Sequence, residues 1–96
     1  MSTGIADADN LMRVSATSPP QLVANSIFKA IFDQQNMPIV RAIGAGAVAQ
    51  TCKAIAIARG MAAVRGIDLS CNIGFDTVAG DSGKEISAQT FRLFAR

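Results

Sequence analysis

The stretch "IVRAIGAGAVAQTCKAIAIARGMA" restricts the fold of this chain more than any other. Residues 39–43 alternate in the manner of a strand, with Arg41 on the side of the two isoleucines. Gly44 and Gly46 then lead into a helical pattern that runs from about Gly46 to about Ala62. Glycine lets the backbone turn sharply. The stretch therefore predicts a strand followed directly by a helix that packs back onto the same sheet.

The rest of the chain predicts one further helix and three further strands. Residues 11–16 alternate as a strand, and a helix is expected from Pro19 to about Gln35. Ser18 and Gln21 have the spacing of a capping box at its start. Two more alternating segments, residues 66–78 and 85–96, flank the turn cluster "AGDSGK".

The predicted order is therefore β-α-β-α-β-β. Strand–helix–strand units with short connections favour parallel neighbours, whereas the final hairpin adds antiparallel strands. We expect a two-layer α+β sandwich, with two helices on one face of a four-stranded mixed sheet. Residues 11–96 are expected to form this single domain, and residues 1–10, which have no apolar periodicity, a flexible tail.

Two details of the last strands follow from their patterns. In residues 66–78 the odd-numbered apolar side chains are expected to face the core, Ile73 and Phe75 among them. In the last strand Ile86 and Ala88 suit one face, whereas Phe91 and Leu93 suit the other. A β-bulge between the two pairs would reconcile them.

Composition limits the function. No apolar run reaches the roughly 20 residues that span a bilayer, and no secretory signal pattern is present, so a cytoplasmic protein without membrane contact is expected. The chain has no histidine and no Cys-x-x-C pair, which argues against a metal site. Cys52 and Cys71 are expected to be reduced thiols in the core. No nucleophile–base pattern or useful carboxylate pair is visible, so catalysis is not expected.

The glycine turn allows three interpretations. Residues 44–49 fit the pattern G-x-G-x-x-A of dinucleotide-binding folds, but the chain is too short for such a fold with a catalytic domain, so no cofactor is expected. The glycines can instead permit tight strand-to-helix packing. In the third interpretation, the uncapped start of the helix holds an anion with its backbone amides.

Assembly is suggested by both helices. Phe28 and Phe32 widen the apolar arc of the first helix, so they either cover the edge of their own core or contact a second subunit. The second helix is apolar on most sides, and Ala49 and Ala56 are candidate contacts. We therefore expect a homodimer or homotetramer.

The stretch "VRAIGAGAVAQTCKAIAIARG", followed by "GIDL", resembles the stage V sporulation protein S family. The resemblance covers about residue 11 to the end of the sequence. It implies an Alba-like fold and a cytoplasmic, non-enzymatic protein that affects spore formation or development. The likeness to Alba proteins implies dimers and nucleic-acid binding. Where Alba proteins carry two lysines, in the loop after the first strand, this chain has "TSPP", and its last hairpin loop is acidic.

A nucleic-acid-binding protein of this kind would contact phosphates through basic side chains. The net charge is +2, and without Asp7 and Asp9 of the first ten residues the remainder carries +4. The candidate contacts for DNA or RNA are the basic side chains, one amide and the backbone of the turn: Arg13, Arg41, Gly44, Ala45, Gly46, Ala47, Gln50, Lys53, Arg59 and Arg65. Arg59 has an alternative as an ion-pair partner of Asp68. The alternative function is a structural interaction module that assembles through its second helix without binding nucleic acid.

Overall fold

The computed structural model describes residues 11–33, 37–80 and 82–96. The four strands are β1 (Leu11–Val14), β2 (Ile39–Ala42), β3 (Leu69–Ala79) and β4 (Glu85–Ala95). The two helices are α1 (Pro20–Phe32) and α2 (Ala45–Ala63). The order β-α-β-α-β-β and the two-layer α+β architecture are confirmed. The expected tail at residues 1–10 and the expected end of α1 near Gln35 lie outside the described residues.

The sheet has the strand order β1-β2-β4-β3. β1 and β2 are parallel, with Arg13 directly beside Arg41, and β4 is antiparallel to both β2 and β3. The last strand in the chain is therefore an interior strand, and β1 and β3 form the two edges. Among the described residues, no helix combines the length and apolarity that a membrane crossing needs.

The core lies between the two helices and one face of the sheet. Alternation sends Val14, Val40 and Ala42 toward the helices, as the sequence pattern predicts. The buried apolar residues that form the cluster are Val14, Ala24, Ile27, Ile31, Val40, Ala42, Ala47, Ala54, Ala58, Ala62, Leu69, Phe91 and Leu93. In the part of the chain that the structure describes, no element covers the opposite face of the sheet.

The buried side of α2 is made of small residues. Ala47, Thr51, Ala54 and Ala58 are almost fully buried, and α2 packs there against α1 and the sheet. The buried Thr51 hydroxyl donates a hydrogen bond of 2.8 Å to the carbonyl oxygen of Ala47, so its hydrogen-bonding capacity as a donor is satisfied. Small side chains let the two helix backbones approach closely, which is how a helix with few bulky residues still contributes to a core.

The predicted capping box at α1 is wrong. Pro19 is the N-cap residue, Pro20 opens the helix, and no described side chain caps it. Because the helix starts one residue later than expected, Gln21 does not reach the capping position and its amide donates to Asn25 instead. The Ser18 hydroxyl accepts a hydrogen bond from the Ser15 backbone and closes the turn between β1 and α1.

Two expectations about the last strands are also wrong. The β3–β4 register is unbroken from Leu69 to Ala79, so there is no bulge between Ala88 and Phe91. Ala88 is buried on one face of β4 and Phe91 on the other, as the alternation of an unbroken strand requires for residues three apart. The inward orientation expected for Ile73 and Phe75 does not bury them, since they are 65% and 76% exposed. They lie on the edge strand, beyond the part that the helices cover.

Candidate nucleic-acid interface

Three arginines project from the uncovered side of the sheet. Arg13 on β1 and Arg41 on β2 are neighbours in register, and Arg92 on β4 lies opposite Ile39. Neighbouring strands are separated by about 4.8 Å, so the bases of these side chains are close together. We call this surface the arginine face. It consists of Leu11, Arg13, Ile39, Arg41, Asp76, Thr90 and Arg92.

Arg41 is the most enclosed of the three arginines. Its side chain is 19% exposed, and its Nη2 lies 3.3 Å from Oδ2 of Asp76 on β3. The side chain therefore crosses β4, where Thr90 is opposite both Arg41 and Gly74. Its buried Nε has no hydrogen-bond partner among the described residues. Arg41 thus keeps donor capacity that Asp76 does not use.

Two depressions meet at Arg41. One, of about 260 Å³, lies over the middle of the arginine face and reaches Phe75 on the edge strand. The other, of about 400 Å³, is lined by Arg13, Ser15, Ala16 and Ile43 and lies at the carboxyl ends of the parallel strands β1 and β2. In open sheets, ligands commonly bind at the carboxyl ends of parallel strands.

The glycine turn borders the second depression. Gly44 is the N-cap residue of α2 with a φ of 91°, a conformation that favours glycine, and no described side chain caps the helix. A Cβ on Gly46 would come within 2.8 Å of the Ala16 side chain, so Gly46 is needed for packing. Ala45 is exposed and Ala47 is buried. The Gln50 amide donates to the Ser18 carbonyl oxygen at 2.9 Å, which holds the β1–α1 loop against α2.

The remaining candidate bases lie elsewhere. Lys53 is on the exposed side of α2. Arg59 lies 3.6 Å from Asp68 in a mostly exposed pair, as the alternative interpretation predicted. The Arg65 guanidinium lies 5.0 Å and 5.6 Å from the ring centroids of Phe28 and Phe32. The structure therefore brings Arg13, Arg41 and the turn together, but not the other three bases.

The sequence pattern of the family described as Stage V sporulation protein S (SpoVS) matches residues 10–96. The chain belongs to the stage V sporulation protein S family. This membership makes it a sporulation-related protein.

The fold of this family member is also that of an Alba protein. The solved structure of Alba from Thermoplasma volcanium matches it with a TM-score of 0.61 over 88% of this chain and 98% of that chain. The two sequences are 16% identical over the match. This likeness shows the Alba-like fold that the sequence resemblance implied.

Sequence patterns alone failed to single out Arg92 in this SpoVS family member. It lies between Phe91 and Leu93, which are both buried beneath the helices. Alternation along a strand therefore places Arg92 on the opposite face. The sequence contains this alternation, but it leaves the register of the last strand open, so Arg92 was not among the candidate residues.

The candidate assembly residues are arranged on two surfaces. The rings of Phe28 and Phe32 are 4.3 Å apart and half-buried, with Arg65 above them. Phe32 packs against the core cluster of its own chain, and a contact of the two rings with a second subunit stays a prediction. Ala49 and Ala56 are exposed on α2, and Ala56 lines an open groove of about 540 Å³ with Arg59 and Asp68.

The two cysteines are free thiols, but Cys52 is exposed rather than in the core. Burial, and to a smaller extent the neighbouring Cys52, raises the pKa of the Cys71 thiol above its ordinary value. Because the thiolate is the reactive form, we expect iodoacetamide at pH 8 to alkylate Cys52 several-fold faster than Cys71. Peptide mass spectrometry over a time course measures both rates. Equal rates would contradict the burial of Cys71.

Proposed function

We propose that this SpoVS family member is a non-enzymatic regulatory protein that binds nucleic acid through its arginine face. The observation that carries the proposal is the register of β1 and β2, which places Arg13 directly beside Arg41 on the uncovered side of the sheet. Its role in sporulation or development would then be exerted through a DNA or RNA target.

The charges of this face favour an anionic partner. Two guanidinium groups on adjacent strands repel each other unless an anion lies between them. Asp76 offsets part of this charge by pairing with Arg41. Within the described ranges, Arg13 and Arg92 form no ion pair. The arginine face therefore carries more positive than negative charge, and a guanidinium is well suited to hold a phosphate through two hydrogen bonds.

The shape of the surface favours contacts with the backbone of a nucleic acid. Arg13, Arg41 and Arg92 project from strands of the sheet face, a surface that meets phosphates before it meets base edges in a groove. The chain has no Trp or Tyr and only five Phe, so few rings are available to stack on bases. We therefore expect binding that depends little on sequence.

A binding titration with mixed-sequence DNA duplex and RNA, at 50 and 200 mM salt, tests the proposal. Two to three phosphate contacts per chain predict that affinity for duplex DNA falls by about 10- to 40-fold between the two salt concentrations. Fluorescence anisotropy measures it. Absence of binding at 50 mM salt, or binding that salt does not weaken, would contradict nucleic-acid binding and favour the interaction-module alternative.

A variant at Lys53 tests how far the bound nucleic acid extends along α2. If the nucleic acid continues from the arginine face past the Gly44–Ala47 turn, Lys53→Ala lowers affinity equally for all sequences and reduces the salt slope by about one. We expect this result, because a helical lysine directs its side chain back toward the N-terminus of its helix. Lys84→Ala, in the last hairpin, is the control. If the salt slope of Lys53→Ala is unchanged, the interface is limited to the arginine face. The Gly44–Ala47 turn then serves packing and does not bind phosphate.

The second candidate function is the structural interaction module. The observation that favours it is that the exposed side of α2 also carries small residues. This side adjoins the open groove lined by Ala56 and Gly60. This surface would assemble protein chains without a nucleic acid. The same titration separates the two candidates.

A further inference from the structure

The depression at the carboxyl ends of β1 and β2 has a mixed lining that contacts with a nucleic-acid backbone do not explain. It has a volume of about 400 Å³, and we call it the strand-end pocket. Its lining combines the guanidinium groups of Arg13 and Arg41 and the hydroxyl of Ser15 with the apolar side chains of Ile43 and Val78. Pockets of about 300–1,000 Å³ with apolar walls and a few polar groups are typical sites for small molecules.

The polar part of the strand-end pocket is positively charged. Arg13 lies beside Arg41 in the register of β1 and β2. The Asp76 carboxylate, which pairs with Nη2 of Arg41 at 3.3 Å, lines the other depression, and no described carboxylate lines this one. A phosphate monoester carries about two negative charges at pH 7, whereas each backbone phosphate carries one. The two guanidinium groups therefore match a phosphate monoester better than a backbone phosphate.

A cluster of hydroxyl groups adjoins the two arginines. Ser15 Oγ lies 3.1 Å from Thr17 Oγ1 and 3.2 Å from Ser18 Oγ, and backbone N–H groups of Ser15 and Thr17 also donate into the cluster. Three hydroxyls have three protons, and the two contacts between them use two of these. One proton therefore remains for an acceptor outside the cluster. Because Ser15 lines the pocket, a phosphate oxygen held by the arginines can be that acceptor.

The apolar part of the lining calls for a second chemical group. Ile43, just past the end of β2, is 47% exposed. Val78 lies on β3, and Ile86, its partner in register on β4, is 38% exposed. A phosphate alone would leave this aliphatic surface in water, whereas a flat apolar group covers it favourably. A nucleobase joined to phosphate through its sugar supplies both groups.

We propose that the strand-end pocket binds a nucleoside monophosphate, either as a free nucleotide or as the phosphorylated end of a nucleic-acid strand. The phosphate lies between Arg13 and Arg41 and accepts a hydrogen bond from the hydroxyl cluster. The base covers Ile43 and Val78. The proposal goes beyond the proposed function, because a nucleotide can fill this pocket whether or not a nucleic-acid backbone lies across the arginine face.

Calorimetric titration of the whole chain with adenosine 5′-monophosphate (AMP) tests the pocket. Because AMP uses both parts of the lining, we expect it to bind at least about tenfold more tightly than inorganic phosphate or adenosine. If AMP bound no more tightly than either of these two parts, the proposal would be overturned.

Two variants locate the bound nucleotide. Ile43→Ser should weaken AMP binding about tenfold and leave the weak binding of inorganic phosphate unchanged, because it removes only apolar surface. Arg13→Ala should weaken the binding of both. Leu22→Ser, at a residue that is 60% exposed on α1, is the matched control and should bind AMP as the parent does. Circular dichroism checks that each variant is folded. Unchanged AMP affinity in a folded Ile43→Ser variant would contradict this site.

A variant at Arg92 separates this proposal from binding along the arginine face. Arg92 lines the other depression and not the strand-end pocket. Arg92→Ala should therefore weaken the binding of duplex DNA without changing the affinity for AMP. A parent protein that binds AMP but no duplex would contradict only the proposed function. One that binds duplex but not AMP would contradict only the nucleotide pocket.

Two short single-stranded RNAs, one with a 5′-phosphate and one with a 5′-hydroxyl, identify the source of the nucleotide. If the phosphorylated strand binds more tightly and AMP displaces it, the pocket holds the end of a strand. If the two strands bind equally while AMP binds, the pocket holds a free nucleotide. A phosphorylated strand that binds more tightly but is not displaced by AMP would place its phosphate elsewhere and overturn the proposal for the strand end.

Discussion

Replacing Ala54 by Leu is expected to lower the free energy of unfolding by about 1–3 kcal/mol. Ala54 is fully buried on the side of α2 that packs against α1 and the sheet. A larger side chain there must push α1 or the sheet away, because the core has no room for three added carbons. For a domain of this size the loss corresponds to a fall of about 4–8 °C in melting temperature for each kcal/mol. Thermal and urea unfolding followed by circular dichroism measure it.

Ala56→Leu is the matched control. Ala56 lies two residues further along the same helix and is exposed, and Leu and Ala have similar helix propensities. We expect this variant to change the free energy of unfolding of the protomer by less than about 0.5 kcal/mol. If the two variants lost the same stability, the close approach of α2 to α1 would not be the cause.

The second large effect is expected from reversing two charges on the arginine face. The double variant Arg13→Glu, Arg92→Glu should weaken binding to DNA and RNA at 50 mM salt at least tenfold. It removes two phosphate contacts and adds two repulsive charges, so the salt slope should fall by about two. Arg41 is kept, because its pair with Asp76 joins β2 to β3. Anisotropy titrations at several salt concentrations give both quantities.

The control for this variant makes the same change in net charge elsewhere. Arg59→Glu, Lys84→Glu alters two bases that lie outside the arginine face. If binding depended only on net charge, the two double variants would weaken it equally. We expect the Arg13 and Arg92 variant to have clearly the larger effect, and the reverse result would place the interface elsewhere.

The sequence predicted the element order because the signals that define it are local. Alternation in residues 39–42, the glycines after it and the prolines at the start of α1 each act within a few residues, and the structure has the corresponding elements. Local signals could not show that Ile73 and Phe75 would be exposed. Their alternation correctly indicates a strand, but whether a helix covers that part of the strand depends on how far α1 and α2 extend over the sheet.

The candidate site was predictable only in part, for a similar reason. The strand pattern indicated that Arg41 and Ile39 share a side, but not that Arg13 would be the neighbour of Arg41. It also did not show that Arg41 would reach Asp76, which is 35 residues away in the chain. Both contacts depend on strand order and register. The same applies to Gly46, whose packing role becomes visible only once Ala16 lies beside it.

The insertion of β4 between β2 and β3 has a consequence for how this domain folds. The register of β4 with β2 pairs Ile39 with Arg92. The complete sheet therefore forms only when parts of the chain more than fifty residues apart have come into contact. Such distant pairing raises the contact order, and domains of high contact order fold slowly, because a long loop must close before its contacts stabilise it. The segment from β1 to α2 lacks the interior strand that supplies Phe91 and Leu93. We therefore expect the two halves of the domain to unfold together as one cooperative unit, with no populated intermediate that consists of either half alone.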